Sequence, residues 1–293
     1  MGPEAKQVAG CPPQVYEACQ EARQENRVVC YHGTTLYTFL LPEILDAIRG
    51  GGYGNRARGI MSFNEAVRRG IDRYIFTRPA YANNANVPKT GGALWVALQS
   101  HNSSDGEAYL AAVEKIQNKL ADHGGWDPEY GRFRIRQETR ELETGHTGRA
   151  AGNRAQNGLQ EISYEKQRIA AWKGIEEAVG PEWADLIQAA LTTPVVMEFM
   201  VADLTRDTYR TNATWPSVGA RMRNEFLSFN RVQRVYTPDY THPELVQALE
   251  SALPNGEVVI ANDPNQNSGA IPVGSDSVFA PNPHSQPDRI SVE

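Results

Sequence analysis

The amino-acid sequence predicts an α+β fold. Short apolar, β-branched runs occur near the beginning and near the end of the chain, and a long stretch with helical periodicity lies between them. This order differs from the regular βαβ alternation of a parallel sheet. The 293 residues are enough to bury about three quarters of the unfolded surface, so the chain needs no disulfide to fold.

The first third of the chain alternates between helices and strands. Apolar residues at helical spacing predict helices over 12–26, 41–49 and 62–71, and Gly50-Gly51-Gly52 ends the second of these. Runs such as Arg27 to Tyr31 (RVVCY) are short, apolar and β-branched, which is typical of buried strands. The predicted strands are 27–31, 73–77 and 93–98.

Residues 105–191 are predicted to be helical, with a solvated arm of mixed charge over 132–149. Strands return afterwards, over 195–201, 225–229, 232–236 and 258–261, with a helix over 238–253. The last segment, 261–293, is rich in Pro, Asn and Ser and nearly lacks aromatic residues. We expect it to be mostly disordered because it cannot bury enough apolar surface.

Composition excludes several classes of function. The net charge of −6, from 29 Lys+Arg against 35 Asp+Glu, disfavours broad nucleic-acid binding, which needs a basic face. Cys11, Cys19 and Cys30 have no CxxC pairing, so neither a disulfide framework nor a structural zinc site is expected. No apolar run is long enough to span a bilayer, and we expect no conventional signal peptide.

Most standard catalytic patterns are absent from the sequence. It has no GxSxG, HExxH or GxxxxGK[ST] pattern, and the six histidines show no metal-ligand spacing, so no metal is expected. The glycine loop at 50–54 lacks a full GxGxxG and follows a helix rather than a strand. It therefore fails as a dinucleotide-binding fingerprint.

One short run does carry chemical information. Tyr31-His32-Gly33-Thr34 follows an apolar strand, and the glycine allows close approach of a ligand to the main chain. This run resembles the first motif of the ADP-ribosyltransferase superfamily, in its diphtheria-toxin-like and poly(ADP-ribose)-polymerase-like branch with a His–Tyr–Glu triad. The resemblance implies a split β-sandwich of two antiparallel sheets that binds NAD⁺. His32 would hold the adenosine-side ribose, the Gly33 backbone would hold the nicotinamide carboxamide, and Thr34 would belong to the same binding run.

A second segment is similar to the family's tyrosine motif. It runs Tyr74-Ile75-Phe76-Thr77 and continues to Tyr81. The resemblance implies that Tyr74 stacks on the nicotinamide ring and that Tyr81 is a second aromatic residue of the site. Phe76 is the alternative stacking residue if the register slips by two. The rival location for this motif is Gly59-Ile60-Met61-Ser62.

A third segment, which begins Asn224-Glu225-Phe226-Leu227 and continues to Val235, resembles the family's closing strand pair. Glu225 would be the catalytic carboxylate, bonded to the ribose 2′-OH while positive charge develops on the ribose and nicotinamide leaves. Position 223 is Arg. The paired-acid patterns of the arginine- and asparagine-directed branches are therefore missing, which counts against arginine as the acceptor.

The resemblance covers about residues 27–100 and 193–240 and implies a division of the chain. Residues 1–104 and 192–260 would form the split catalytic core, with 105–191 as a helical insertion that could dock the target. Arg56 and Arg58, in the glycine-rich loop, are candidates for contact with the cofactor pyrophosphate, since Arg geometry suits phosphate. Their alternative role is that of solvated loop cations.

The resemblance implies a mono-ADP-ribosyltransferase that uses NAD⁺ and no metal. The acidic charge and the helical block favour a protein acceptor, for example ubiquitin or another host regulator modified on a hydroxyl side chain. We expect a bacterial toxin or effector that is secreted and acts in the host cytoplasm, or a cytoplasmic enzyme. Two alternatives stay open: a superfamily member acting on a small molecule or an RNA end, and an inactive transferase fold that only binds a partner.

Overall fold

The protein is a mixed α and β structure. A computed structural model describes residues 7–76, 94–99, 103–123, 126–144, 149–201, 208–210 and 219–261. Its strands are β1 Val28–Thr35, β2 Gly59–Met61, β3 Leu94–Gln99, β4 Pro194–Val201, β5 Thr208–Arg210, β6 Gly219–Met222, β7 Phe226–Ser228, β8 Arg234–Pro238 and β9 Glu257–Ala261. Seven of them form one sheet in the order β5-β6-β3-β1-β4-β8-β9, and β2 pairs with β7.

The helices begin and end largely where local chemistry dictates. They are α1 Pro13–Gln24, α2 Tyr37–Arg49, α3 Phe63–Arg69, α4 Glu107–His123, α5 Pro128–Glu143, α6 Arg149–Val179, α7 Pro181–Thr192 and α8 Pro243–Ala252. Pro stands in the first turn of α1, α5, α7 and α8, where its missing N–H has no consequence. Ser62 caps α3 by accepting a hydrogen bond from the Glu65 N–H.

The central strand β1 is buried on both faces of the large sheet. Cys30 lies in a cluster formed mainly with α2, α6, α7 and α8, and Tyr31 lies in a second cluster formed with α1 and α4. Successive side chains of a strand point to opposite faces, so β1 separates two apolar layers. This position explains why β1 is a continuous apolar run in the sequence.

The predicted helical block, residues 105–191, contributes to both of these layers. Tyr109 and Ala112 of α4 lie in one cluster, and Trp172 and Ile175 of α6 lie in the other. Burial of large side chains of this kind stabilises a fold by roughly 1.5–3 kcal/mol each. Whether the block docks a target stays a prediction, but its helices are part of the core.

The large sheet differs from the expected all-antiparallel arrangement. β8 and β9 are parallel, with α8 as the connection between them, whereas the other pairings among the described strands are antiparallel. A parallel pair requires such a crossover, so the helix that the sequence predicted over 238–253 makes this sheet mixed. Within the described ranges the two sheets are also unequal, with seven strands and two.

One further local prediction was wrong. The expected strand at 73–77 is a 3-10 turn over Asp72–Tyr74, followed by a segment that the Arg168 guanidinium holds through a 2.6 Å hydrogen bond to the Ile75 carbonyl. The segment 132–149, predicted to be a solvated arm, belongs up to residue 143 to helix α5, whose residues from 132 onward are half-buried or exposed. The tail beyond residue 261 lies outside the described residues.

Candidate functional site

The sheet opens at His32. The antiparallel ladder of β1 with β4 runs from Val28 to Thr35, but the ladder of β1 with β3 ends at Tyr31. Beyond that point a side-chain hydrogen bond joins the two strands, because the Nδ1 of His32 lies 2.8 Å from the carbonyl oxygen of Trp95 on β3. The place where β1 and β3 separate, beyond Tyr31, is called here the split between β1 and β3, and the His32 side chain bridges it.

The surroundings of His32 keep its imidazole neutral. Burial, together with the positive charges of Lys115 and Lys119 on α4, lowers the pKa of His32 to about 3. A neutral imidazole carries one proton, and the carbonyl of Trp95 can only accept, so Nδ1 donates. Nε2 is left as an acceptor that could receive a hydrogen bond from a hydroxyl group of a ligand.

Gly33 and Thr34 each contact a helix, α4 and α2 respectively. A Cβ at position 33 would lie 2.4 Å from the Ala112 carbonyl oxygen and 3.0 Å from Ile116, so only glycine lets α4 cross β1 here. The Thr34 hydroxyl lies 2.9 Å from that of Thr38 and joins the end of β1 to α2. Their predicted contacts with a cofactor stay predictions.

Tyr74 lies in a buried aromatic region close to the start of α2. The Arg73 guanidinium sits 5.0 Å from the centre of the Tyr74 ring, and Tyr74 belongs to the same buried cluster as Tyr37. Phe76, the alternative stacking residue, is stacked on Trp126 at 4.5 Å and is 1% exposed. Phe76 is therefore a core residue. Tyr81 and Thr77 lie outside the described residues.

Glu225 directly precedes β7, as predicted, and its backbone and carboxylate both bind residues that follow β2. Its backbone carbonyl accepts a 2.8 Å hydrogen bond from the Ser62 N–H, and its carboxylate accepts one from the Ser62 hydroxyl at 3.3 Å. The Arg68 guanidinium of α3 also binds this carboxylate. The rival motif at Gly59–Ser62 is thus the segment that contacts the predicted catalytic carboxylate.

Among the described residues, no hydrogen bond joins His32, Tyr74 and Glu225 directly. Arg168 and Tyr164 of α6 contact the residue after Tyr74 and the residue after Ser62, respectively. Arg168 reaches the Ile75 carbonyl and stands 4.4 Å from the centre of the Tyr164 ring. The Tyr164 ring in turn meets that of Phe63, next to Ser62, at 6.4 Å.

The predicted phosphate-binding arginines are engaged elsewhere. Arg56 donates to the Arg69 carbonyl at 3.3 Å and stacks over the Tyr53 ring at 4.7 Å. Arg58 is exposed, and its carbonyl accepts from the Phe229 N–H at 3.3 Å. These contacts fix the loop that leads into β2, and both the phosphate contact and the role of solvated loop cations stay predictions for Arg56 and Arg58.

Sequence reasoning missed a second buried charged group, at Glu198 in the middle of β4. Its side chain is fully buried and accepts hydrogen bonds from Arg234 at 2.8 Å, from Tyr31 at 3.3 Å and from Tyr236. Burial raises the pKa of Glu198, and these donors oppose the increase. A charged residue in an otherwise apolar strand was the available signal.

The described residues contain no group of three or more His, Cys, Asp or Glu side chains that could hold a metal ion. Within the same ranges, no helix has the length and apolar character needed to cross a membrane. Comparison with known proteins gives no match: no protein-family model matches the chain, and neither a curated protein nor a solved structure does.

Proposed function

We propose that the protein is a mono-ADP-ribosyltransferase that uses NAD⁺ and modifies a protein acceptor. The observation that carries the proposal is the neutral His32 imidazole at the split between β1 and β3. Its Nδ1 is committed to the Trp95 carbonyl, so Nε2 is fixed as an acceptor for a ribose hydroxyl.

Two unpaired donor atoms lie beside the Ile75–Phe76 segment. Tyr37 and Arg168 each bury a donor atom, the hydroxyl and Nε respectively, that has no hydrogen-bond partner in the protein. Buried donors are normally paired, so unpaired ones indicate a place where another molecule completes the bonding. A ligand with several phosphate and hydroxyl oxygens would satisfy them.

Glu225 would act on the reacting ribose. NAD⁺ supplies an activated ribose, whose bond from C1′ to the nicotinamide nitrogen breaks with the electron pair leaving on nicotinamide. An acceptor hydroxyl oxygen bonds to C1′ and releases its proton to solvent. The Glu225 carboxylate, oriented by the Ser62 hydroxyl, accepts a hydrogen bond from the ribose 2′-OH and stabilises positive charge. Arg68 must release this carboxylate, which costs little because the Arg68 side chain is 63% exposed.

The acceptor class follows from charge and from the resemblance. A chain with a net charge of −6 is poorly suited to nucleic acid, and the proposed acceptor is a hydroxyl side chain of a protein such as ubiquitin. A secreted effector that acts in the cytoplasm of a host cell would meet such a substrate.

One observation favours a second candidate, a transferase fold that binds a partner without turnover. The Glu225 carboxylate already forms an ion pair with Arg68 and a hydrogen bond with Ser62. If this pairing persists when nucleotide binds, the carboxylate cannot serve the reaction.

Incubation of the protein with a lysate and NAD⁺ labelled on the adenylate phosphate separates the two candidates. We expect label on a protein band with the wild type and with Glu250→Gln, an exposed carboxylate of α8, but not with Glu225→Gln. Parallel NAD⁺ labelled on nicotinamide should leave no label on protein. Absence of transfer by the wild type, with NAD⁺ still bound, would favour the binding module.

A further inference from the structure

The segments 53–70 and 223–231 are basic, although the chain as a whole is acidic. They hold six of the 29 Lys+Arg residues, all of them arginine, but only two of the 35 Asp+Glu residues. Five of the arginines are exposed, whereas the two acidic residues, Glu65 and Glu225, are half-buried. We call these six side chains the arginine surface: Arg56, Arg58, Arg68, Arg69, Arg223 and Arg231.

Contacts within the fold bring the two segments together beside Glu225. β2 pairs with β7, and the Phe229 N–H donates to the Arg58 carbonyl at 3.3 Å, which places Arg58 beside the 3-10 turn that ends at Arg231. From the other side, the Arg68 guanidinium binds the Glu225 carboxylate. The arginine surface therefore borders the proposed catalytic carboxylate.

Two of the arginines are held by aromatic rings and by each other's backbone. The Arg69 guanidinium lies 3.9 Å from the centre of the Phe226 ring and donates to the Arg56 carbonyl at 2.9 Å. The Arg56 guanidinium donates to the Arg69 carbonyl at 3.3 Å and lies 4.7 Å from the centre of the Tyr53 ring. Side chains that are already ordered lose less entropy when a partner binds them, and a guanidinium matches a carboxylate with two parallel hydrogen bonds.

We infer that the arginine surface binds an acidic segment of the acceptor protein. The inference rests on the proposed function, in which Glu225 acts on the reacting ribose next to this surface. Its positive charge complements carboxylates, and arginine is enriched at protein interfaces, where lysine is depleted. Val67, which is 49% exposed next to Arg68, adds an apolar side chain to the same surface.

An acidic protein segment fits this surface better than a nucleic acid does. Because the two basic segments hold so few of the acidic residues, the rest of the chain is more acidic than the net charge of −6 suggests. A DNA duplex carries one negative charge per about 1.7 Å and extends beyond a surface of this size, so its phosphates would meet the acidic remainder. A segment with a few carboxylates ends within the arginine surface.

Binding of an acidic segment would also change the state of Glu225. The Arg68 guanidinium binds Glu65 as well as Glu225, and its side chain is 63% exposed. A carboxylate of the partner competes for this guanidinium, so Arg68 leaves Glu225 when the acceptor is bound. The Glu225 carboxylate then becomes available to the ribose when an acceptor is present, which limits the loss of NAD⁺ to water.

The test measures the binding of a fluorescent hexaglutamate peptide to the purified full chain by anisotropy. The test variant is Arg223→Gln with Arg231→Gln. The matched control, Arg132→Gln with Arg136→Gln, removes the same charge from exposed positions of α5. We expect the test variant to bind the peptide about tenfold more weakly than the wild type, as for the loss of two surface ion pairs, and the control to bind it as the wild type does. Equal affinity in the wild type and the test variant, or an equal loss in both variants, would overturn the inference.

Two measurements on the wild type keep the result independent of how the variants fold. Raising the salt concentration from about 0.05 M to about 0.5 M should weaken peptide binding, because salt screens exposed charges. Binding that does not depend on salt would contradict the inference. Oligothymidylate should displace the peptide less effectively than unlabelled hexaglutamate does, and the opposite order would show that the arginine surface binds nucleic acid instead.

The same peptide tests the link to Glu225. Hexaglutamate should raise the rate of nicotinamide release by the wild type but not by Arg68→Ala, in which Glu225 already lacks this partner. The same effect on both proteins would contradict the competition for Arg68. Failure of the proposed function is distinguishable: arginine-dependent peptide binding without any nicotinamide release would support the binding surface and contradict the transferase. Nicotinamide release together with equal peptide binding by the wild type and the test variant would do the reverse.

Discussion

The contact between Gly33 and α4 makes a quantitative prediction about stability. A Cβ at position 33 would lie 2.4 Å from the Ala112 carbonyl oxygen, a backbone atom that can move only with its helix. Restoring an ordinary carbon–oxygen separation of about 3.3 Å would require α4 to withdraw by roughly 1 Å. Overpacking of this kind costs about 1–3 kcal/mol. We expect Gly33→Ala to fall near the upper end because the clash involves backbone.

Replacing glycine by alanine lowers the conformational entropy of the unfolded chain, which offsets this cost by about 0.4–1 kcal/mol. The free energy of unfolding should therefore fall by about 2 kcal/mol in total. For a domain of this size the Tm should fall by about 4 to 8 °C, measured by circular dichroism. The matched control is Gly174→Ala in α6, where a new Cβ meets nothing within 4 Å. That substitution should raise stability by about 1 kcal/mol, the usual gain of a helix interior. A Gly33→Ala variant as stable as the wild type would refute the packing of α4 on β1.

Three further outcomes are expected. The pKa of His32 is lowered to about 3 in the folded protein, so on acidification this residue is protonated first in the unfolded chain. The free energy of unfolding should therefore fall as pH drops from about 6.5 toward 3, by up to about 1.4 kcal/mol per pH unit. Urea unfolding of His32→Gln should show a flatter pH profile, and an identical profile would contradict the buried neutral imidazole. Glu198→Gln should lower the free energy of unfolding by about 3 kcal/mol, because it leaves Arg234 without its buried partner, while a loss below about 0.5 kcal/mol would show that this pair is unimportant. Arg68→Ala should raise the rate of nicotinamide release by freeing Glu225, with a stability change under about 1 kcal/mol; a slower rate would show that the ion pair positions the carboxylate.

Local sequence predicted the elements that are defined by their own pattern. β1 was recognisable because a strand buried on both faces must be a continuous apolar run, whereas β7, the strand preceded by Glu225, is buried at Leu227 and half-buried at its other two residues. Residues 73–77 carry the same apolar, aromatic pattern, yet Ile75 and Phe76 are covered by Arg168 and Trp126, which are distant in sequence. A pattern shows that a segment is buried but not what covers it.

The candidate site likewise contains residues whose positions the sequence predicted and residues whose positions it did not. His32 and Glu225 stand at strand ends, and their positions follow from the motif. Lys119 and Arg168 belong to helices for which the apolar stripe was the visible signal, and a lysine beside that stripe is ordinarily solvated. The effect of Lys119 on the pKa of His32 and the contact of Arg168 with the Ile75 carbonyl depend on how α4 and α6 pack on the sheet, which no local pattern contains.

The central claim is that Glu225 catalyses the departure of nicotinamide from an NAD⁺ molecule held at His32. The most direct measurement is the rate of nicotinamide release from NAD⁺ by the purified full chain, with the wild type, Glu225→Gln and Glu250→Gln compared at equal concentration. We predict release by the wild type and Glu250→Gln, and at least a hundredfold slower release by Glu225→Gln with NAD⁺ affinity retained, in keeping with the loss of about 2.7 kcal/mol of transition-state stabilisation. Equal rates in all three proteins would contradict the account.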